Sequence, residues 1–172
     1  MEGDLILYHG TNVQFNAIEI LPIRYPLDFG VGFYTTSIKS QAIDWANRKS
    51  TRFGGYAYIY EIVLSLDKLD TLIFEKEDGA WLDFVSKHRQ ICTYTNNGDN
   101  LLLKSDNHHK YDIVSGGVAD DKVIMTVDLY MQGLFSRDEA LKRLLYTEHN
   151  HQLVISTERA LHNIISFKEL AV

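Results

Sequence analysis

The chain has 172 residues, close to one domain at roughly 150 residues per domain, and its 45% hydrophobic and 23% charged content excludes disorder, collagen and coiled coil. Seventeen Lys and Arg against 23 Asp and Glu give a net charge of −6, which disfavours nucleic acid as a bulk partner and leaves only a local basic patch to hold it. A lone Cys92, no apolar run approaching the roughly 20 residues of a membrane helix, and a start without a basic or apolar leader predict a soluble, cytoplasmic single domain over 1–172 with no membrane association. A specialised secretion route stays open.

In chain order, Leu5-Ile6-Leu7-Tyr8 reads as a buried strand delivering the polar turn His9-Gly10-Thr11-Asn12. The stretch Asn12–Gly32, with both prolines, reads as a loop or a short helix followed by a loop, and Gly32–Thr36 as a second short strand. Ser37 is placed to cap a helix whose Ile38, Ala42, Trp45 and Ala46 share one face. Tyr56–Leu64 is the strongest strand signal, with Tyr56, Tyr58, Tyr60 and Ile62 facing one way. Leu69–Phe74 suggests another strand, and Asp78 opens a helix with the stripe Trp81, Phe84, Val85 and His88. A hairpin is expected around Asn96–Asn100, and the adjacent His108-His109 lacks further ligands for a metal site.

Tyr111–Val118 reads as a strand, followed by a helix capped by Asp120 or Asp121 that turns Val123, Val127 and Tyr130 inward. Ser136-Arg137-Asp138-Glu139 has capping-box spacing ahead of a helix burying Ala140, Leu141, Leu144 and Leu145. Gln152–Ile155, Glu158–His162 and Ile164–Leu170 close the chain as strand, helix, strand. Strands near both ends with helices between them, and no Gly-rich phosphate loop, predict an α+β fold and argue against a Rossmann or Walker nucleotide site.

Three segments carry chemistry. Leu7-Tyr8-His9-Gly10-Thr11-Asn12, Phe29-Gly30-Val31-Gly32-Phe33-Tyr34-Thr35-Thr36 and His151-Gln152-Leu153-Val154-Ile155-Ser156 resemble, in order and separation, the three motifs of the ADP-ribosyltransferase superfamily of the diphtheria-toxin-like, histidine-tyrosine-glutamate type. Tyr111 to Asp121 is similar to a signature of a bacterial family of unknown function within that superfamily. The resemblance implies split antiparallel sheets around an NAD cleft. NAD would bind bent, nicotinamide would leave, and an acceptor would attack the cationic ribose carbon. It further implies that His9 binds the adenosine ribose, Gly10 offers its backbone to the carboxamide, and Tyr34 stacks on the nicotinamide with Trp45, eleven residues on, as second stacking partner. Thr11 and Thr35 complete the expected NAD-binding set, and His9, Tyr34 and Gln152 the expected catalytic set.

Two positions depart from that pattern. Gln152 stands where the best-known members have Glu, so the charge that would stabilise the cation comes from Glu61, Glu148, Glu158 or the acceptor, or the chain binds NAD without turning it over. Ala42 stands where relatives offer Ser, which leaves Thr35 or Ser40 as substitutes. The implied activity is mono-ADP-ribosyl transfer to a macromolecule in a toxin or effector role, with an antitoxin or inhibitor protein as a potential partner. The charge favours a protein acceptor. A nucleic-acid acceptor would rely on Arg48, Lys49 and Arg52, and the Gly116-Gly117 loop either makes a turn or shapes the acceptor side.

Overall fold

A computed structural model of the chain describes residues 3–22, 27–94, 110–144 and 150–171. The elements are β1 (Asp4–Thr11), β2 (Phe33–Thr35), α1 (Lys39–Phe53), β3 (Tyr58–Ser65), β4 (Thr71–Ile73), α2 (Gly79–Tyr94), β5 (Ile113–Gly116), α3 (Asp121–Met131), α4 (Arg137–Leu144), β6 (Gln152–Ile155), α5 (Glu158–Leu161) and β7 (Ile164–Leu170). They form an α+β fold with two sheets, ordered β1-β3-β7 and β2-β6-β5-β4, all pairs antiparallel except β4 with β5. The expected hairpin at 96–100, His108-His109 and Glu148 lie outside the described residues.

Period-two alternation explains the layers. On β3, Tyr60, Ile62 and Leu64 face the same side as their β1 partners His9, Leu7 and Leu5. Leu7, Ile62 and Leu64 meet Ile113, Leu153 and Ile155 of the second sheet in one apolar cluster between the sheets. The other face of the second sheet carries Val114 and Val154 into a second cluster with Trp81 and Val85 of α2, Val123 and Val127 of α3, and Ala140 and Leu144 of α4. Among the described residues no helix is long and apolar enough to cross a membrane.

The helix starts follow local chemistry, with two corrections. Asp78 caps α2 by accepting from the Ala80 and Trp81 N–H groups at 2.9 and 3.2 Å, and Asp120 accepts from Val123 N–H at 3.1 Å at the start of α3. Ser37 does not cap α1: Ile38 takes that position, its N–H donating to the Thr36 hydroxyl at 3.0 Å, while Ser37 turns to His151. The capping box is half made. Ser136 accepts from Glu139 N–H at 3.2 Å, but the Glu139 carboxylate pairs forward with Arg143 at 3.0 Å. The third strand starts at Tyr58 rather than Tyr56, which is 78% exposed beyond the Gly54-Gly55 turn.

Asp112, buried at the mouth of β5, ties three segments by accepting from Thr157, from the Arg159 guanidinium and from the Asp70 N–H. Burial alone would raise its pKa, but the hydrogen bonds from Arg159, Thr157 and Asp70 and the charge of Arg159 outweigh that and hold the carboxyl below its ordinary range.

Where β1 crosses α1, only glycine fits. A Cβ on Gly10 would lie 1.9 Å from the Ala42 carbonyl oxygen and 3.0 Å from the Ala46 nitrogen, both helix backbone that no rotamer change can move aside. The Ala42 and Ala46 side chains, both fully buried, complete a crossing of minimal bulk. Gly10→Ala should therefore cost about 3 kcal/mol, the upper part of the usual overpacking range. Urea denaturation read by circular dichroism checks this, with Ala57→Gly, in the turn before β3, as a mild control.

Candidate active site

Among the described residues the two sheets meet at one bridge, in which Tyr8 N–H donates to the Thr36 carbonyl at 2.7 Å and Thr36 N–H to the Tyr8 carbonyl at 2.9 Å. Through it β2 lies between β1 and β6, which puts all three motif segments on neighbouring strands. Alternation from this bridge divides the candidates between two faces. Gly10, Tyr34 and Gln152 share one face, on the side where α1 packs, and His9, Thr11 and Thr35 share the other.

His9 and Tyr34 are in direct contact, the His9 ring against the Tyr34 backbone carbonyl rather than ring against ring. His9 Nδ1 lies 2.7 Å from the Tyr34 carbonyl oxygen, which can only accept, so Nδ1 carries the hydrogen and Nε2 is the acceptor. The ring lies 4.5 Å from that of Phe33 and 5.8 Å from that of Phe15, in an aromatic cluster with Tyr60 and Phe167. Burial, helped by the nearby Lys49 charge and opposed by the Tyr34 hydrogen bond, lowers the His9 pKa to about 4, so the imidazole is neutral at physiological pH. Lys49, the middle member of the basic cluster, is turned inward, donates to the Gly10 carbonyl at 3.1 Å, and is itself shifted down by burial. Arg48 and Arg52 remain exposed.

Tyr34 and Gln152 grip the same turn. The Tyr34 hydroxyl donates to the Gly30 carbonyl at 2.8 Å and accepts from Phe29 N–H at 3.2 Å. The Gln152 amide nitrogen, in a side chain only 3% exposed, donates to Asp28 Oδ2 and to the Gly117 carbonyl, both at 2.9 Å. Asp28, 5% exposed, also accepts from Ala119 N–H at 2.9 Å and from Arg89 Nε and Nη2 at 3.0 and 2.6 Å. Residues 28–30, the Gly117–Ala119 loop, α2 and β6 are thus joined at one carboxylate. The Gly116-Gly117 segment is a structural partner of Gln152, with the Trp81 indole N–H donating to the Gly117 carbonyl at 3.2 Å.

The remaining candidates are local. Thr35 is fully buried and donates to the Leu153 carbonyl at 2.8 Å, and Thr11 accepts from Val13 N–H at 3.3 Å. Trp45 is half-buried on α1, one residue before the Ala46 that packs on Gly10. Ser40 is exposed at the start of the same helix. Of the charge donors expected to replace a Glu, Glu61 is paired with Lys168 at 2.7 Å and Glu158 is exposed on α5.

Sequence reasoning passed over Asp28 and Arg89. The signal was available: Arg89 follows Trp81 and Val85 at four-residue intervals on the buried stripe of α2, and a cation on such a stripe requires a buried anion.

Two outcomes follow. Gln152→Glu would set a second carboxylate beside Asp28 and remove the donor between them, raising the pKa of the new carboxyl. A raised acid stabilises below its unfolded pKa and loses that contribution as pH rises through the folded value, so the variant should be about 1–3 kcal/mol less stable than wild type at pH 8 and nearer to it at pH 5, by urea denaturation. For His9 the folded pKa is depressed. The unfolded chain takes up the proton first as pH falls, and stability should decline between the ordinary histidine value near 6.5 and about 4. His9→Phe should reduce that slope, leaving the part that His151, also shifted down by burial, contributes, and an NMR titration should place the wild-type His9 midpoint near 4.

No curated protein and no solved structure matches the chain. Residues 5–167 match the family described as "Protein of unknown function (DUF3990)", and the chain belongs to that family.

Proposed function

We propose that the chain is a mono-ADP-ribosyltransferase, moving ADP-ribose from NAD to a macromolecular acceptor, protein rather than nucleic acid, in a toxin or effector role. The observation that supports the reading best is the adjacency of β1, β2 and β6. Three segments, the third more than a hundred residues of chain beyond the first two and each resembling a motif of that superfamily, lie side by side at the junction of the sheets. In the reaction the bond between nicotinamide nitrogen and ribose carbon breaks, nicotinamide leaves with the bonding electron pair, and an acceptor nucleophile attacks the ribose carbon and loses its proton. Neutral His9, its ring fixed by the Tyr34 carbonyl, keeps Nε2 as an acceptor for a ribose hydroxyl. The inward turn of Lys49 takes one cation from the basic cluster, which weighs toward a protein acceptor.

One observation favours a second reading, an NAD-binding module of little or no turnover. The Gln152 amide nitrogen is engaged by Asp28 and Gly117, and the side chain is almost wholly buried, so the group at the third motif position is spent on structure in this conformation.

Incubation with labelled NAD and a cell lysate, followed by protease or nuclease, separates the readings. Transfer is expected to yield protease-sensitive label with release of nicotinamide, and His9→Ala to reduce it at least tenfold. A melting temperature raised by NAD without nicotinamide release would select the binding module. No response to NAD of either kind would remove both.

A further inference from the structure

An open apolar hollow borders the core between the sheets. Leu7, Ile113 and Leu153 are buried to within 3% of full enclosure, yet beside them lies a cavity of about 270 Å³. At about 30 Å³ per water-sized group it has room for roughly nine. Its rim includes Ile6 and Ile73, apolar residues that are 55% and 39% exposed. No charged side chain lines it among the described residues.

One wall is polar and built. His151 Nδ1 accepts from Ser37 N–H at 3.2 Å and lies 3.0 Å from the Ser37 hydroxyl, while its Nε2 lies 2.9 Å from the Ser115 hydroxyl. Because a backbone N–H can only donate, Nδ1 is the acceptor, and in the neutral ring the hydrogen sits on Nε2 and is donated to Ser115. Burial lowers the pKa of His151, in keeping with a neutral ring. Gln41 fixes the residue from both sides, its amide nitrogen donating to the His151 carbonyl at 2.8 Å and its amide oxygen accepting from His151 N–H at 3.1 Å. With its oxygen taken by His151, the 93% buried Ser115 hydroxyl has a hydrogen left over, with no acceptor among the described residues. That hydrogen points to an acceptor in the hollow, water or a ligand group.

We propose that this cavity is a binding site for a small neutral carbonyl compound with a hydrocarbon body, its carbonyl oxygen accepting from Ser115 and its chain lying among Leu7, Ile113 and Leu153. A carboxylate is disfavoured, since no cation lines the cavity to offset its desolvation. Its polar wall lies on the face of β5 and β6 opposite Gln152, the face that β1 and β2 share with His9 and Thr35.

The test uses heptanamide, nine heavy atoms, with heptanoate as its charged counterpart, by isothermal titration calorimetry on the full chain. Heptanamide is expected to bind saturably and heptanoate at least tenfold more weakly. Ser115→Ala should weaken heptanamide several-fold to about tenfold, the effect of one hydrogen bond, and Ile6→Trp, at the exposed rim, should weaken it further by covering the mouth. In the wild-type protein, NMR contacts from the heptanamide chain to Leu153 and Ile113 methyls should appear whatever the variants do. Absence of heptanamide binding, equal or tighter binding of heptanoate, unchanged affinity in a folded Ser115→Ala variant, or contacts elsewhere would each overturn the proposal.

Discussion

The arrangement around the second strand depends on one buried carboxylate. Asp28 accepts two hydrogen bonds from Arg89 on α2, one from the Ala119 N–H and one from the Gln152 amide on β6, so segments from four regions of the chain are fixed relative to a single pair of oxygens. Truncating one partner of such a buried ion pair costs on the order of 3–5 kcal/mol, because the other charge is left unpaired in a low-dielectric interior. The Tyr34 hydroxyl grips the next residues of the same turn. The position of the second motif relative to the third is therefore an electrostatic matter as much as a β-sheet one.

This accounts for the amide at position 152. Its nitrogen donates to an anion and to a carbonyl, two acceptors that a carboxylate would repel. Glutamine is required by its neighbours, whatever the chain does with NAD. The charge that a carboxylate at 152 would carry stands instead on the turn that faces it, at Asp28.

Much of the fold was legible in the residues because local chemistry and tertiary packing agreed there. β6 and β7 begin and end where their apolar runs do, Asp78 and Asp120 cap the helices they precede, and the stripe Trp81, Val85, His88 is buried as its spacing requires. Disagreement arose where a side chain found a distant partner better than the local one. Ser37 has cap chemistry but faces His151, and Glu139 has box spacing but Arg143 one turn ahead. The candidate residues could be located on their strands from motif order alone. Their facing could not, because it depends on the register of the Tyr8 to Thr36 bridge between sheets, a contact that no periodicity within either strand encodes.

Taken together, the junction is electrostatically quiet. His9 is held neutral by burial, Asp28 is matched by Arg89, Gln152 carries no charge, and Lys49 is drawn in to a backbone carbonyl. A ligand at such a junction would be recognised by shape and by hydrogen bonds of fixed direction, since Asp28 and Arg89 answer each other and Lys49 is held by a carbonyl. For a reaction in which positive charge develops on a ribose carbon, stabilisation must then come from oriented dipoles, the nucleophile of the acceptor, or a rearrangement that releases Asp28 from its partners. Of these, release of Asp28 would open a pair that the rest of the fold relies on, whereas an acceptor bringing its own negative charge leaves the structure intact. The proposed chemistry is thereby most economical when the acceptor completes the site, and turnover would then be coupled to the arrival of the correct macromolecule.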